Sequence, residues 1–488
     1  MKNCKLVIKD EVNVKFENLD LSMRKLLSKK FKYELPYARH LPAVRLGRWD
    51  GCVAFFQLGG STYLNLLPEI LPILDENGWD IELDDQRLEK PDFAFTEVKE
   101  DSFAHIKWPK GHTAEGQPIM LRDYQVEIIN GFLSNPQCLQ EIATGAGKTL
   151  MTAVLSSKVE PYGRSIIIVP NKGLVIQTEA DYINMGLDVG VYFGDRKEWN
   201  KTHTICTWQS LNNLFKKSRD GDIEDLATFG VDRFFDKVVC IMVDEVHMAK
   251  ADALKTLLTG VLSNIPIRWG LTGTVPKELF EFQAIRCSLG EVINRVAASE
   301  LQDKGVLAQC HVQVMQTQET QAYKNYQSEM AFLVTDPGRL DWMAQEINAM
   351  RKTGNTLVLV DRIATGKELV ARIDNAVFVS GNTKASDRKE EYDEVAGSSD
   401  KVIVATYGVA AVGINIPRIF NLVLVEPGKS FVRVIQSIGR GIRKAEDKDF
   451  VQIWDITSAC KFSKRHLTKR KQFYNEANYP HTVQRVII

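Results

Sequence analysis

The chain has 488 residues, 44% hydrophobic, 25% charged and 9% aromatic. That composition excludes a wholly disordered polymer and, at about 100–200 residues per domain, implies roughly two to four domains. Lysine plus arginine equals aspartate plus glutamate, 62 against 62, so any site for a polyanion must be a local patch rather than a consequence of net charge.

From the N-terminus, Val12, Val14 and Phe16 alternate with polar residues and predict a half-buried strand. Leu19, Met23, Leu26, Leu27 and Phe31 recur at helical spacing. Cys52–Leu58 and Ser61–Asn65 flank Gly59-Gly60, a two-residue hairpin signal. A helix over 66–76 and a strand over 79–83 follow, and residues 106–118, with Pro109, Gly116 and Pro118, read as a linker. Beyond it, short apolar runs alternate with helical patterns: 165–169, 204–207, 237–243 and 268–271, then 312–315, 355–360, 376–379, 401–405, 420–425 and 451–454. This predicts two tandem α/β domains with parallel sheets, dividing near residue 305. No apolar run approaches the roughly 18 residues of a membrane helix, and Lys2, Lys5, Lys9, Asp10 and Glu11 interrupt any signal-peptide pattern. The eight cysteines are scattered without a Cys-x-x-Cys pair, which argues for buried thiols rather than zinc or disulfides.

The chemistry concentrates at Ala143-Thr144-Gly145-Ala146-Gly147-Lys148-Thr149, between an expected strand (138–142) and an apolar helix. Glycines let backbone N–H groups close around phosphate oxygens, Lys148 reaches the β/γ phosphates, and Thr149 offers a hydroxyl to Mg2+. Gly428-Lys429-Ser430 repeats the seed behind Glu426-Pro427, without a glycine-rich loop, and reads as a strand-end turn. A complementary acidic pair closes the apolar run 238–243: Asp244 to hold Mg2+ and Glu245 to polarise the attacking water. ATP and Mg2+ are the expected cofactors.

The remaining landmarks follow the order found in superfamily-2 helicases, which this chain resembles from about residue 119 to 458. Leu121-Arg122-Asp123-Tyr124-Gln125 resembles the adenine-reading element, assigning Arg122 and Gln125 to the nucleotide. Pro170-Asn171-Lys172 with Gln177, and Thr207-Trp208-Gln209, resemble loops that contact the nucleic-acid backbone. Thr272-Gly273-Thr274 resembles the element that links hydrolysis to domain movement. In the second domain Ser380-Gly381 and Thr406-Tyr407 look like further backbone contacts, and Gly413-Ile414-Asn415 like a nucleotide-facing loop. Gln436, Arg440 and Arg443 belong to the most specific of these motifs; arginines three apart share one helix face and offer forked donors to a transferring phosphoryl group. Two positions depart from the family: Ile142 opens the phosphate loop where many members carry glycine or alanine, and Asn415 stands where aspartate is common.

Within the superfamily, the box Asp244-Glu245-Val246-His247 and the Leu-Arg-x-Tyr-Gln entry look more like the DNA-translocating branch than like RNA helicases. Val44–Gly51, followed by apolar 53–56, is similar to a segment of the UvsW-type phage recombination helicases, which remodel branched DNA. The resemblance implies two RecA-like domains, at 119–305 with the ATP site and at 306–458 with the arginine residues. An α+β nucleic-acid-binding module over 1–105 precedes them, and a basic segment over 459–488 follows. It also implies a cytoplasmic location, in the host cell if the chain is phage-encoded, and no membrane partner.

Residues 24–48 carry Arg24, Lys25, Lys29, Lys30, Lys32, Arg39, Arg45 and Arg48 against Glu34 alone, a cluster suited to several phosphate contacts. Lys29, Lys30, Arg45 and Arg48 are the DNA-contact candidates among them. Trp49 is read as core filler rather than a base-stacking platform. The tail carries Lys461, Lys464, Arg465, Lys469, Arg470 and Lys471, which suit either a solvated end or a second patch. Pro91-Asp92 and Glu97-Val98-Lys99 superficially match a nuclease signature, but the gap is very short and no strand places the acids together. The expected function is ATP-driven remodelling of forks, Holliday junctions, or R- and D-loops. A restriction-system motor subunit, an RNA helicase and a non-enzymatic branch-binding protein are the alternatives.

Overall fold

The computed structural model describes the chain except residues 1, 36, 111, 113, 221–230, 247–250, 320, 382, 384–390, 393, 396, 410–415, 417, 431–437, 440 and 446, and the side chains of 217–220, 231–232 and 251–253. The chain forms two units: residues 1–142 with 147–295, and residues 143–146 with 296–488.

The main sheet of the first unit has, among the described residues, eight strands in the order Arg196–Lys197, Val189–Phe193, His203–Thr207, Arg164–Val169, Val238–Asp244, Ile267–Thr272, Gln137–Ile142, Glu291–Val296. Its central strands are rich in β-branched residues, buried along their whole length and parallel, as expected for a sheet covered on both faces. Register aligns their ends. Thr272 lies opposite Glu141, Asp244 opposite Leu271, Val243 opposite Ile168, and Thr207 opposite Val169. The loops leaving the carboxyl ends of these parallel strands therefore emerge along one edge.

The N-terminal residues build a smaller four-stranded sheet, ordered Ser61–Tyr63, Asn13–Glu17, Lys2–Ile8, Trp79–Asp85. Asp20 caps the helix Leu21–Lys30, accepting from the Met23 N–H at 2.7 Å, while Lys29 and Lys30 sit at the helix end that favours cations. The expected hairpin around Gly59-Gly60 is corrected. The turn exists, with the Gln57 N–H donating to Ser61 O at 2.8 Å, but Cys52–Ala54 pairs with Lys32–Glu34, and Ser61–Tyr63 pairs with Asn13–Glu17. The Phe16 N–H donates to Gly60 O, and a side chain at Gly60 (φ +89°) would strike Phe16 O, so the turn is pinned to a different strand from the one expected.

This small sheet shares its core with the main sheet of the first unit. Phe280, Ala284 and Cys287, on the helix Leu279–Leu289, are buried with Phe16, Leu27, Phe55, Phe56, Ile70 and Leu74. Polar contacts reinforce the seam: Asn13 Nδ2 to Thr259 O at 2.8 Å, Gln137 Nε2 to Glu11 O at 2.7 Å, Asn65 Nδ2 to Gln137 Oε1 at 3.1 Å, and Arg286 to Glu69. The segment expected as a linker also belongs to the first unit. Trp108 N–H donates to Gln117 O, Lys107 bridges to Pro118, and Ile119 is buried. Just before it, Phe93 and Phe95 pack on Tyr162, leaving Asp92 and Glu97 exposed on irregular chain. Trp49 is half-buried against the same N-terminal core, its indole N–H donating to Cys52 O at 3.0 Å.

In the second unit, the described strands run Ala376–Val379, Val402–Thr406, Thr356–Val360, Asn421–Val425, Phe450–Ser458, Gln309–Thr317, His481–Val486, all parallel. The segment 459–488 forms the helix Lys461–Glu476 and the strand His481–Val486, and of its named basic residues Lys461, Lys464, Arg465, Lys469 and Lys471 are exposed. Arg470 is buried on Asp455 at 2.8 Å, and Tyr474 donates to the same carboxylate, so the segment completes the domain. Gly428-Lys429-Ser430 is a turn after Asn421–Val425, with Lys429 exposed and Gly428 O held by Arg470.

One buried polar chain runs behind the phosphate-loop helix Lys148–Val159: Tyr182 Oη to Ser156 Oγ at 2.8 Å, Ser156 Oγ to Ser165 Oγ at 3.3 Å, Ser165 Oγ to His203 Nδ1 at 2.7 Å. Burial, with the Arg164 guanidinium near by, pulls His203 down from 6.5 to about 4, against Asp188. Between those values the unfolded chain binds the extra proton, so stability rises with pH there. The contribution is complete above about pH 6.5 and is lost towards pH 4, amounting to up to about 3 kcal/mol. Urea midpoints of His203→Asn should show a shallower fall from pH 6.5 to 4 than wild type; an identical slope would contradict this placement of the ring.

Candidate active site

Three adjacent inner strands of the first sheet deliver their loops side by side. Gln137–Ile142 leads into the phosphate loop, Ile267–Thr272 into Thr272-Gly273-Thr274, and Val238–Asp244 into Glu245. Lys148 begins the following helix, whose cap Gly147 adopts φ +86°; a Cβ there would lie 2.6 Å from Gln125 Nε2, so only glycine lets the loop close under that amide.

Lys148 and Glu245 form a buried ion pair, Nζ to Oε1 at 3.1 Å. Lys148 Nζ also donates to Ile142 O at 3.3 Å. The other carboxylate oxygen of Glu245 accepts from the Gly273 N–H at 3.3 Å, so one side chain bridges the phosphate-loop lysine and the threonine loop. Thr272 Oγ1 donates to Thr274 O at 2.8 Å, and the Val275 N–H donates to Glu141 Oε1 at 3.1 Å, closing that loop on the phosphate-loop strand. Glu245 sits at φ +49°, a conformation costing a non-glycine residue about 1–3 kcal/mol, held by its own N–H donating to Asp244 Oδ1 at 2.8 Å.

Asp244 is buried at its strand end and Thr149 lies in the first turn of the helix. A carboxylate and a hydroxyl are hard oxygen donors, the set that suits Mg2+ completed by phosphate and water. The described residues contain no cluster of three or more His, Cys, Asp or Glu side chains for a transition metal.

Gln125 and Arg122 form the cap of the helix Asp123–Leu133: Gln125 Oε1 accepts from the Arg122 N–H at 3.0 Å, and Arg122 Nη1 donates to Tyr124 Oη at 3.3 Å. The Gln125 side chain is thus fixed by its own helix start, with its amide nitrogen towards Gly147.

The expected nucleic-acid loops leave the same edge. Pro170 and Asn171 follow Arg164–Val169; Asn171 caps the helix Lys172–Asn184 through Leu174 N–H at 3.0 Å, leaving Lys172 and Gln177 exposed. Thr207 caps the next helix with its Oγ1 2.9 Å from Ser210 Oγ, and Gln209 is exposed. Trp208 packs against the core instead of standing free for stacking.

In the second unit, Ser380 is buried and its N–H donates to Thr383 Oγ1 at 3.0 Å, while Gly381 is exposed. Thr406 ends its strand; Tyr407 is buried, its hydroxyl donating to Val425 O at 3.2 Å, so only its backbone faces outward chemistry. Residues 143–146 belong to this unit, where a Cβ on Gly145 would lie 3.7 Å from Arg443 Cγ and one on Gly439 3.1 Å from Thr144 Cβ. Gly413, Asn415, Gln436 and Arg440 lie outside the described residues.

Of the eight basic residues in 24–48, three have partners: Lys32 pairs with Asp50, Arg39 with Glu34, and Arg24 donates to Leu58 O. Lys25, Lys29, Lys30, Arg45 and Arg48 are exposed. Among the described residues no helix is long and apolar enough to cross a membrane.

Comparisons with known proteins agree with this geometry. Residues 118–277 match the family model of the type III restriction enzyme res subunit, and residues 338–445 match the helicase conserved C-terminal domain. The chain is 25% identical over 479 residues to the ATP-dependent DNA helicase UvsW of Enterobacteria phage T4, covering 93% of this chain and 91% of that protein. Two solved structures share the fold. A fragment of an HsdR subunit of a type I restriction enzyme from Vibrio vulnificus aligns at TM-score 0.57 and 18% identity over 97% of this chain and 84% of that one. S. cerevisiae Dbp5 bound to RNA and ADP BeF3 aligns at TM-score 0.54 and 14% identity over 76% and 90%. With two family models on two parallel-sheet RecA-like domains, and a phosphate loop facing an acidic pair, the chain belongs to the ATP-hydrolysing superfamily-2 helicases.

Proposed function

We propose that the chain is an ATP-driven DNA translocase that remodels branched DNA: forks, Holliday junctions and displacement or R-loops. The observation that carries the reading is the basic N-terminal module sharing a core with the first motor domain. Loops that grip phosphate and sugar cannot tell a junction from a continuous duplex, so a second surface held at a fixed place on the motor is required. Lys25, Lys29, Lys30, Arg45 and Arg48 supply it. The likeness to phage T4 UvsW supports the same reading.

In this mechanism Lys148 and the loop 143–147 bind the β/γ phosphates, with Arg122 and Gln125 at the base. Thr149 and Asp244 would hold Mg2+, which supplies charge neutralisation on the phosphates. Binding of ATP draws Lys148 away from Glu245, and the released carboxylate orients and deprotonates the attacking water. Gly273, which donates to the same carboxylate, carries that change into the threonine loop. Arg440 and Arg443 supply donors to the charge that develops on the transferring phosphoryl group. The loops at Pro170–Lys172 with Gln177, Thr207–Gln209, Ser380-Gly381 and Thr406-Tyr407 grip the DNA backbone, so that cycles of hydrolysis move the motor along it.

A second reading, a restriction-system motor, draws on the res-subunit match and the Vibrio HsdR fold. It requires partner chains for activity, whereas the first requires DNA alone.

Lys148→Ala should lose both ATP binding and turnover. Glu245→Gln should bind ATP and hold it unhydrolysed, because the amide keeps the shape but cannot take a proton. Filter binding with labelled ATP beside phosphate release checks both, and wild-type turnover in Glu245→Gln would contradict its role as base.

Removing residues before Ile119 would expose Phe280, Ala284 and Cys287, so point variants are the sound probe of the module. Lys29, Lys30, Arg45 and Arg48 replaced together by alanine should reduce the salt slope of DNA binding by roughly 0.9 for each phosphate no longer neutralised. The same variant should lose preference for forks and four-way junctions over plain duplex while keeping DNA-stimulated hydrolysis. An undiminished fork preference would move branch recognition into the motor domains.

A further inference from the structure

We propose that Lys448 is a positioning residue for hydrolysis, a buried ammonium clamp that fixes the backbone carrying Arg443. The inference rests on the reading of Arg443 as a phosphoryl-contacting arginine.

Among the described residues Ile438, Gly439 and Gly441 are helical, the Ile442 N–H donates to Ile438 O at 3.0 Å, and Arg443 lies past this helix end in a bridge to Leu307. Beyond a helix end the carbonyls have no intrahelical donors and need other partners. Here three successive ones are taken. Lys448 Nζ donates to Gly441 O at 2.7 Å and to Arg443 O at 2.6 Å, and the Ala308 N–H donates to Ile442 O at 2.8 Å. The Lys448 backbone N–H donates to Ala445 O at 3.1 Å, closing the loop back on itself. From the other side a Cβ on Gly441 would meet Leu422 Cδ2 at 2.9 Å, so the turn rests directly on the central strand Asn421–Val425. Lys448 is 1% exposed. A buried lysine held on two backbone carbonyls keeps the Arg443 main chain in one conformation, and the guanidinium inherits that order.

The charges around the clamp make it pH-dependent. Burial and the Arg443 guanidinium pull the Lys448 ammonium down to about 7, while Asp447 opposes them. Asp447 is itself held ionised by Arg418, and Asp449 is occupied by Lys444. As pH rises through 7 the clamp loses its charge and the carbonyl bonds lose their charge assistance. An arginine at 448 would stay charged throughout.

The test is a double-mutant cycle on the full chain, read by DNA-stimulated ATP hydrolysis and by ATP binding. Lys448→Met should lower kcat at least about tenfold with ATP affinity changed less than about twofold. In an Arg443→Ala background the same substitution should change kcat less than about twofold, because the group it positions is gone. A normal loss in Arg443→Ala to which the Lys448→Met loss adds in full would overturn the clamp alone. Wild-type kcat in Arg443→Ala would overturn the arginine assignment and the clamp with it. Lys448→Arg gives an independent arm: the decline of kcat above pH 7 should move to higher pH, and an unmoved decline would overturn the proposal whatever the Met variant does.

Discussion

The structure depends on one property of parallel strands: they end together. With Thr272 opposite Glu141, Asp244 opposite Leu271 and Thr207 opposite Val169, the turns that follow these strands share one edge of one sheet. Phosphate loop, acidic pair, threonine loop and the exposed Lys172 loop are separated in sequence by up to about 130 residues, yet they are neighbours because the register admits no alternative. The Glu245 carboxylate, between Lys148 Nζ and the Gly273 N–H, is where that geometry becomes chemistry. A buried pair of this kind contributes little net stability, but loss of either partner leaves an uncompensated charge costing about 3–5 kcal/mol. In the proposed mechanism the pair is a switchable contact, because a phosphate taking the place of the carboxylate on Lys148 would not strand the ammonium.

The motor strands were legible because a strand buried on both faces is written as a continuous apolar run; 165–169, 237–243 and 420–425 fall within a residue of the strands observed. The phosphate loop and the Asp244-Glu245 pair were legible for another reason, since glycine, lysine and paired acids at strand ends have few structural uses. Edge strands were not. Glu291–Val296 and His481–Val486 are short, half-exposed and polar, and nothing in their pattern separates them from loop. Side-chain commitments were hidden as well: Trp208, Tyr407 and Arg470 carry the residue types of nucleic-acid contacts, yet packing and local hydrogen bonds have claimed them. Lys448 gave no signal at all, because a lysine after a motif looks like surface until its burial is known.

The N-terminal module illustrates the limit of reading by segments. Its strands and helices are visible one by one, but its core is completed by Phe280, Ala284 and Cys287, far along the chain. Arg268 shows how deep the attachment goes. Fully buried at the start of the strand Ile267–Thr272, it donates to Leu262 O at 2.6 Å and Ser288 O at 2.8 Å, holding the loops on which Asn13 and Glu11 dock. The far end of that strand is Thr272, in the threonine loop. A module built this way is part of the first unit, joined to the larger sheet by a common core and by hydrogen bonds to backbone carbonyls.

If the shared sheet edge couples nucleic acid to hydrolysis, the coupling is read most directly in the steady-state ATPase rate of the wild-type chain without nucleic acid, with single-stranded DNA and with forked DNA. The basal rate should be slow, rise on the order of tenfold or more with DNA, and be highest on the fork. A rate that is the same with and without DNA, at saturating ATP and low salt, would contradict the coupling.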